Sequence, residues 1–141
     1  MEEATDIERA LLSGFIRDRY LLGRAMEIGF KPELMPHNLG RTLSRTLVDL
    51  SGNSEMPLEP IAVGAMLKER GLMSPEMRRF IDAVVAAPEP DASQVIAYVD
   101  LLKARASRLR LVEVNKSITD YLENERQDGG DIVDFLGTLV P

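Results

Sequence analysis

The sequence contains no cysteine, which excludes disulfides and thiolate metal sites and fits a reducing cytosol. His37 is the single histidine, so histidine-rich zinc sites are excluded and any Ser-His-Asp system would depend on that one ring. Tryptophan is absent and aromatics make up only 5% of the chain, so the core must be aliphatic, a composition that suits helices. No apolar run approaches the ~18 residues of a membrane span. The opening residues, Met1 to Asp6, are acidic and lack the basic-then-apolar order of a signal peptide. Positive charge is also in short supply. The net charge of −6 argues against the chain alone gripping a nucleic-acid backbone. Together these absences predict a cytoplasmic protein without membrane contact and with weak or no direct nucleic-acid binding.

What remains is a chain of 141 residues, 45% hydrophobic, enough for one compact core. Alternation at period two is missing, and the β-branched residues fall within helical stripes, so the fold class is all-α. Thr5-Asp6-Ile7-Glu8 has the form of a capping box, opening a first helix with Ile7, Leu11 and Phe15 on one stripe. Asp18 caps a second helix that ends at Gly29. Pro36 is placed in the first turn of a third, which carries Leu39, Leu43, Leu47 and Leu50 and stops at Ser51-Gly52-Asn53. Pro57-Leu58-Glu59-Pro60 begins a fourth helix, carrying Ile61, Val63, Met66 and Leu67 and ending at Gly71. Ser74-Pro75 starts a fifth through Met77, Phe80, Ile81, Val84 and Val85.

After the stiff elbow Ala87-Pro88-Glu89-Pro90, Asp91 or Ser93 caps a helix of about 35 residues that reaches Gln127 without an internal proline or glycine. Its apolar stripe changes face. Val95, Val99, Leu102, Ala106 and Leu109 share one side, while Leu111, Val114, Ile118, Tyr121 and Leu122 share another, turned by roughly 130°. The first stripe covers a helical head formed by residues 1–90. The second, in the region 91–141, needs a different partner. Gly129-Gly130 turns the chain, and Asp131 caps a short helix bearing Ile132, Phe135, Leu136 and Leu139 that can fold back as a hairpin. That return arm is too short to cover the stripe. The hairpin therefore reads as truncated: either the chain continues beyond Pro141 or another subunit completes it. Leu111, Val114, Ile118, Tyr121, Leu122, Ile132, Phe135 and Leu136 are the expected oligomer or partner interface.

No catalytic constellation is legible. A Gly-x-x-x-x-Gly-Lys-Ser/Thr phosphate loop is missing, and Ser13-Gly14 lacks the surroundings of a nucleophile elbow. His37 follows a proline at a helix start, which fits a surface or helix-end role. Glu123 and Glu125 lie two apart on a helix and do not face one another, and Asp131 and Asp134 stand where acids favour a helix N-terminus. Lys103, Arg105, Arg108 and Arg110 spread around the helix instead of forming one ridge, which fits a solvated face with i, i+4 pairing, with a partner or DNA contact as the alternative. The seven methionines fit core filling. No catalytic residue, cofactor site or metal site is assigned.

The order of elements resembles the N-terminal domain of DnaB-type replicative DNA helicases. The residues that carry the resemblance are Ile7-Glu8 with Leu11-Leu12, Lys31-Pro32-Glu33, Pro57-Leu58-Glu59 followed by Leu67-x-x-x-Gly71, and Ala87-Pro88 followed by Val95-x-x-Tyr98. Glu59 stands where that family usually has Asp, Gln94 where it has Asn, and Ser74-Pro75 replaces its usual glycines. The resemblance implies a non-catalytic collar for DNA replication that assembles with itself as a dimer or higher ring and docks primase or a helicase loader within a primosome. ATP and Mg would then belong only to a downstream motor domain. A stand-alone regulator, or a primase-type helicase-binding domain that mimics the collar, is the alternative.

Overall fold

Helix ends in this chain are written by a few residues, and the computed structural model shows which of them act. It describes residues 2–52 and 59–128, with side chains over 4–52 and 59–124. Among the described residues six α-helices run in order: α1 Glu2–Phe15, α2 Arg19–Glu27, α3 Asn38–Ser51, α4 Pro60–Glu69, α5 Pro75–Ala86 and α6 Ala92–Asp128, with a 3-10 turn at Pro32–Leu34. No strand occurs among the described residues, and the fold is all-α.

Asp18 caps α2 by accepting from the Tyr20 amide, and Ser74 caps α5 by accepting from the Met77 amide. Gly29 and Gly71 both take positive φ, 103° and 70°. Each closes a Schellman motif. Phe30 N–H reaches Ala25 O and Leu72 N–H reaches Leu67 O, satisfying carbonyls that the helix end would otherwise orphan. Asp91 and Gln94 form a reciprocal box at the start of α6. The Gln94 amide donates to Asp91 Oδ1 at 2.8 Å, and the Asp91 amide donates to Gln94 Oε1 at 2.9 Å.

Two expected helix starts are corrected. α1 begins at Glu2, so Thr5 lies inside it, and Glu8 does not reach back to close a box. Its carboxylate instead accepts from His37, 29 residues away. Pro36 precedes the helix, because α3 begins after His37, which is its N-cap. Glu59, at the N-cap of α4, makes no capping bond; its side chain is one methylene longer than the Asp that does this job well.

The chain divides into two units, Met1–Lys103 and Ala104–Pro141. In the first unit α1 is the central element, packed on α2, α3 and α5, while α3 also packs on α4. Leu11, Leu12 and Phe15 of α1, and Ile16 in the turn that follows it, are wholly buried with Leu43, Leu47 and Leu50 of α3. Each such side chain contributes about 1.5–3 kcal/mol by leaving water. Phe15 and Phe30, two of the few aromatics, meet at 5.1 Å between ring centres. Met35 and Met77 fill the core as expected, whereas Met66 and Met73 are only partly covered and Met26 is exposed.

The elbow before α6 is pinned to the end of α1. Ser13 Oγ donates to Ala87 O at 2.7 Å, and Arg17 donates to Val85 O and lies 3.5 Å from Glu89. Gly14 leaves room for Pro90, since a Cβ there would stand 3.1 Å from the ring. The start of α6 so held buries Val95, Val99 and Leu102. Here the first stripe stops short of expectation: Ala106 is only partly covered and Leu109 is exposed. Helical periodicity continued past the residues available to cover it.

Candidate interaction surface

The last residue of the first unit is tied down by more than packing. Lys103 Nζ donates to Ile28 O at 3.0 Å, placing a cation at the C-terminus of α2, where the helix dipole favours it. Lys103 therefore belongs to the α2 cap, and the basic cluster read from sequence is reduced to Arg105, Arg108 and Arg110. Arg108 and Arg110 are exposed, and Arg105 is half-buried.

From Ala104 to Asn124 no described side chain is buried. Leu111 is 65% exposed and Val114 49%, with Ile118, Tyr121 and Leu122 partly covered on the same face. Ser107, Arg110, Leu111 and Val114, at helical spacing, line a concavity of about 320 Å³. Leu109 and Val112 add apolar surface on other sides of the helix, at 47% and 62% exposure. Neither was among the expected interface residues; the run Leu109-Arg110-Leu111-Val112 was the available signal, since it cannot fit one narrow stripe. Ile132, Phe135 and Leu136, with the expected return helix and the Asp131 and Asp134 pair, lie outside the described residues.

His37 is accounted for. Its ring Nδ1 lies 2.9 Å from Glu8 Oε1 and its backbone N–H donates to Glu8 Oε2 at 3.2 Å. Glu8 is fully buried, and Gly40 lies so close that a Cβ would stand 2.0 Å from Oε2. A carboxylate at the N-terminus of α3 offsets unpaired amides and the positive dipole end, so the pair pins α1 to α3. The expectation of a helix-end role holds. Among the described residues no group of three His, Asp or Glu side chains is placed to hold a metal ion, and no helix is long and apolar enough to cross a membrane.

No protein-family model matches the sequence, and no curated protein does. Among solved structures, the crystal structure of the N-terminal domain of DnaB helicase from Mycobacterium tuberculosis matches with a TM-score of 0.70 at 21% identity, covering 83% of each chain. The chain has a DnaB N-terminal-domain-like fold. With identity that low, what is shared is architecture. The DnaB-like order of helices agrees with the sequence resemblance, and it arises here from capping and core residues that any sequence of this fold must supply in some form.

Proposed function

We propose that this chain is a non-catalytic collar domain of a replicative DNA helicase, working by self-assembly and by docking a primase or loader. The observation that carries the proposal is the apolar face of α6 from Leu111 to Leu122, exposed at Leu111 and Val114 and buried nowhere along its length, on a chain with a DnaB-like fold. Exposed contiguous apolar surface of this kind marks an interface. Two copies pairing along this face would bury it, and apolar area would supply most of the association energy at about 25 cal/mol per Å² before ordering costs. On this reading the chain itself needs no cofactor, and ATP and Mg serve only a motor domain elsewhere. Arg105, Arg108 and Arg110 then rim the interface rather than grip DNA.

The test is Ile118→Asp in the full chain. A buried unpaired carboxylate at a helix–helix contact is costly, so self-association should weaken at least about tenfold with little loss of helicity. Sedimentation velocity and far-UV circular dichroism report the two quantities. Wild type and variant both monomeric at every concentration would remove the pairing surface.

A further inference from the structure

A second uncovered surface lies in the first unit, between α4 and α5. α4 is held by α3 and α5 by α1, so neither helix has the other as its main support. Between them is a groove of about 610 Å³. Its walls are two regular helix faces. Ile61, Gly64, Ala65 and Lys68 line it from α4, and Arg78, Ile81, Asp82 and Val85 from α5, with Met73 of the connecting turn. Gly64 and Ala65 are too small to fill it; a Cβ at Gly64 would meet only the Met73 methyl, at 3.9 Å. Ile61 is 82% exposed, an unusual position for a branched aliphatic residue at the mouth of an apolar groove. A face of ten residues is about 15 Å long, the length of nearly three helical turns.

The charges distinguish one occupant. Lys68, in the last turn of α4, and Arg78, in the first turns of α5, are the charged lining residues nearest the connecting turn, so both cations belong to the same end of the groove. Neither is engaged in a salt bridge or side-chain hydrogen bond among the described residues. Asp82 is the single acidic lining residue, leaving the groove net positive on a chain whose net charge is −6. We infer that this groove docks an amphipathic helix of a partner protein, with aliphatic anchors at i, i+3 or i+4 and i+7 and acidic residues at the end that meets Lys68 and Arg78. The apolar floor supplies burial, and the paired cations set orientation and reject basic helices. The inference rests on the groove alone and stands apart from pairing through α6.

Methyl NMR of the full chain, labelled at isoleucine and methionine methyls, tests it. The probes are two synthetic amphipathic peptides of about four helical turns. They share leucine anchors; one carries glutamates at both ends and the other lysines. The glutamate peptide should shift the Ile61 and Met73 methyl signals to saturation and leave Ile118 unmoved. The lysine peptide should bind at least about tenfold more weakly, and Lys68→Glu with Arg78→Glu should invert that order. Unmoved Ile61 and Met73 signals at millimolar peptide would overturn the proposal, as would equal binding of both peptides. Ile61 and Met73 signals that shift on dilution of the protein alone would assign the groove to a second copy and overturn the heterologous partner.

Discussion

Two segments of one helix carry the same kinds of side chain and meet opposite fates. In α6, Val95, Val99 and Leu102 are sealed, whereas Leu111 and Val114 are 65% and 49% exposed. Burial is thus not a property of the residues but of what lies opposite them. The first segment is opposed by the body of its own unit. Beyond Lys103 the described side chains have nothing that buries them. Propensity does not explain why the second segment is helical either. Val112, Val114, Ile118 and Thr119 are β-branched and lose χ1 freedom in a helix. Most helical stability in proteins comes from packing an apolar face, so a segment of this composition gains from a partner.

The comparison makes its largest demand on truncations. Leu102→Ala removes a wholly buried side chain from the first unit and should cost about 2–5 kcal/mol. Leu111→Ala, nine positions on, should change the stability of the monomer by less than about 0.5 kcal/mol. Urea unfolding of both variants at low protein concentration decides it. Equal losses would mean that the two segments are equally packed and would end the contrast.

A second test concerns how tightly the first unit is fitted. Gly→Ala inside a helix ordinarily stabilises by about 1 kcal/mol. At Gly40 the sign should reverse. The added methyl would overlap Glu8 Oε2, and Glu8 is fully buried and bonded twice to His37, so it has no room to move aside. Gly40→Ala should therefore cost about 1–3 kcal/mol, and it should cost less than that when measured in a Glu8→Ala background. Additive losses in the double variant would show that the carboxylate is not what fills the space at Gly40.

That cluster also marks where the sequence stopped being legible. Local signals worked: Asp18, Gly29, Gly71 and Ser74-Pro75 each end or begin a helix where expected, because their partners lie within a few residues. Glu8 obeyed a distant partner. Its spacing from Thr5 fits a capping box, but the amide it serves belongs to His37, and no local pattern shows that pairing. Ile61 and Leu109 teach the same lesson about faces. Periodicity places each on a helix stripe without showing where the opposing surface ends. The change of stripe along α6 was visible in the spacing, and the α4–α5 groove was not, since a gap between helices leaves no mark in either one.

The smallest effect tests where the two regimes of α6 divide. Lys103 is the last residue of the first unit, and its ammonium caps Ile28 O above Gly29. Lys103→Met keeps the aliphatic stem and removes the charge. A cation at a helix C-terminus is worth about 0.3–1 kcal/mol at low ionic strength, and Lys103 is exposed, so the lower end of that range is expected. The loss should shrink further in 1 M salt, where screening reaches about 3 Å. Equilibrium unfolding of wild type and variant at low and high salt separates the charge from the stem. A loss at low salt only would place the last tie of α6 to its own unit at Lys103. If the variant matches wild type under both conditions, Val95, Val99 and Leu102 hold this part of the helix, and the boundary between its covered and uncovered lengths is set purely by packing.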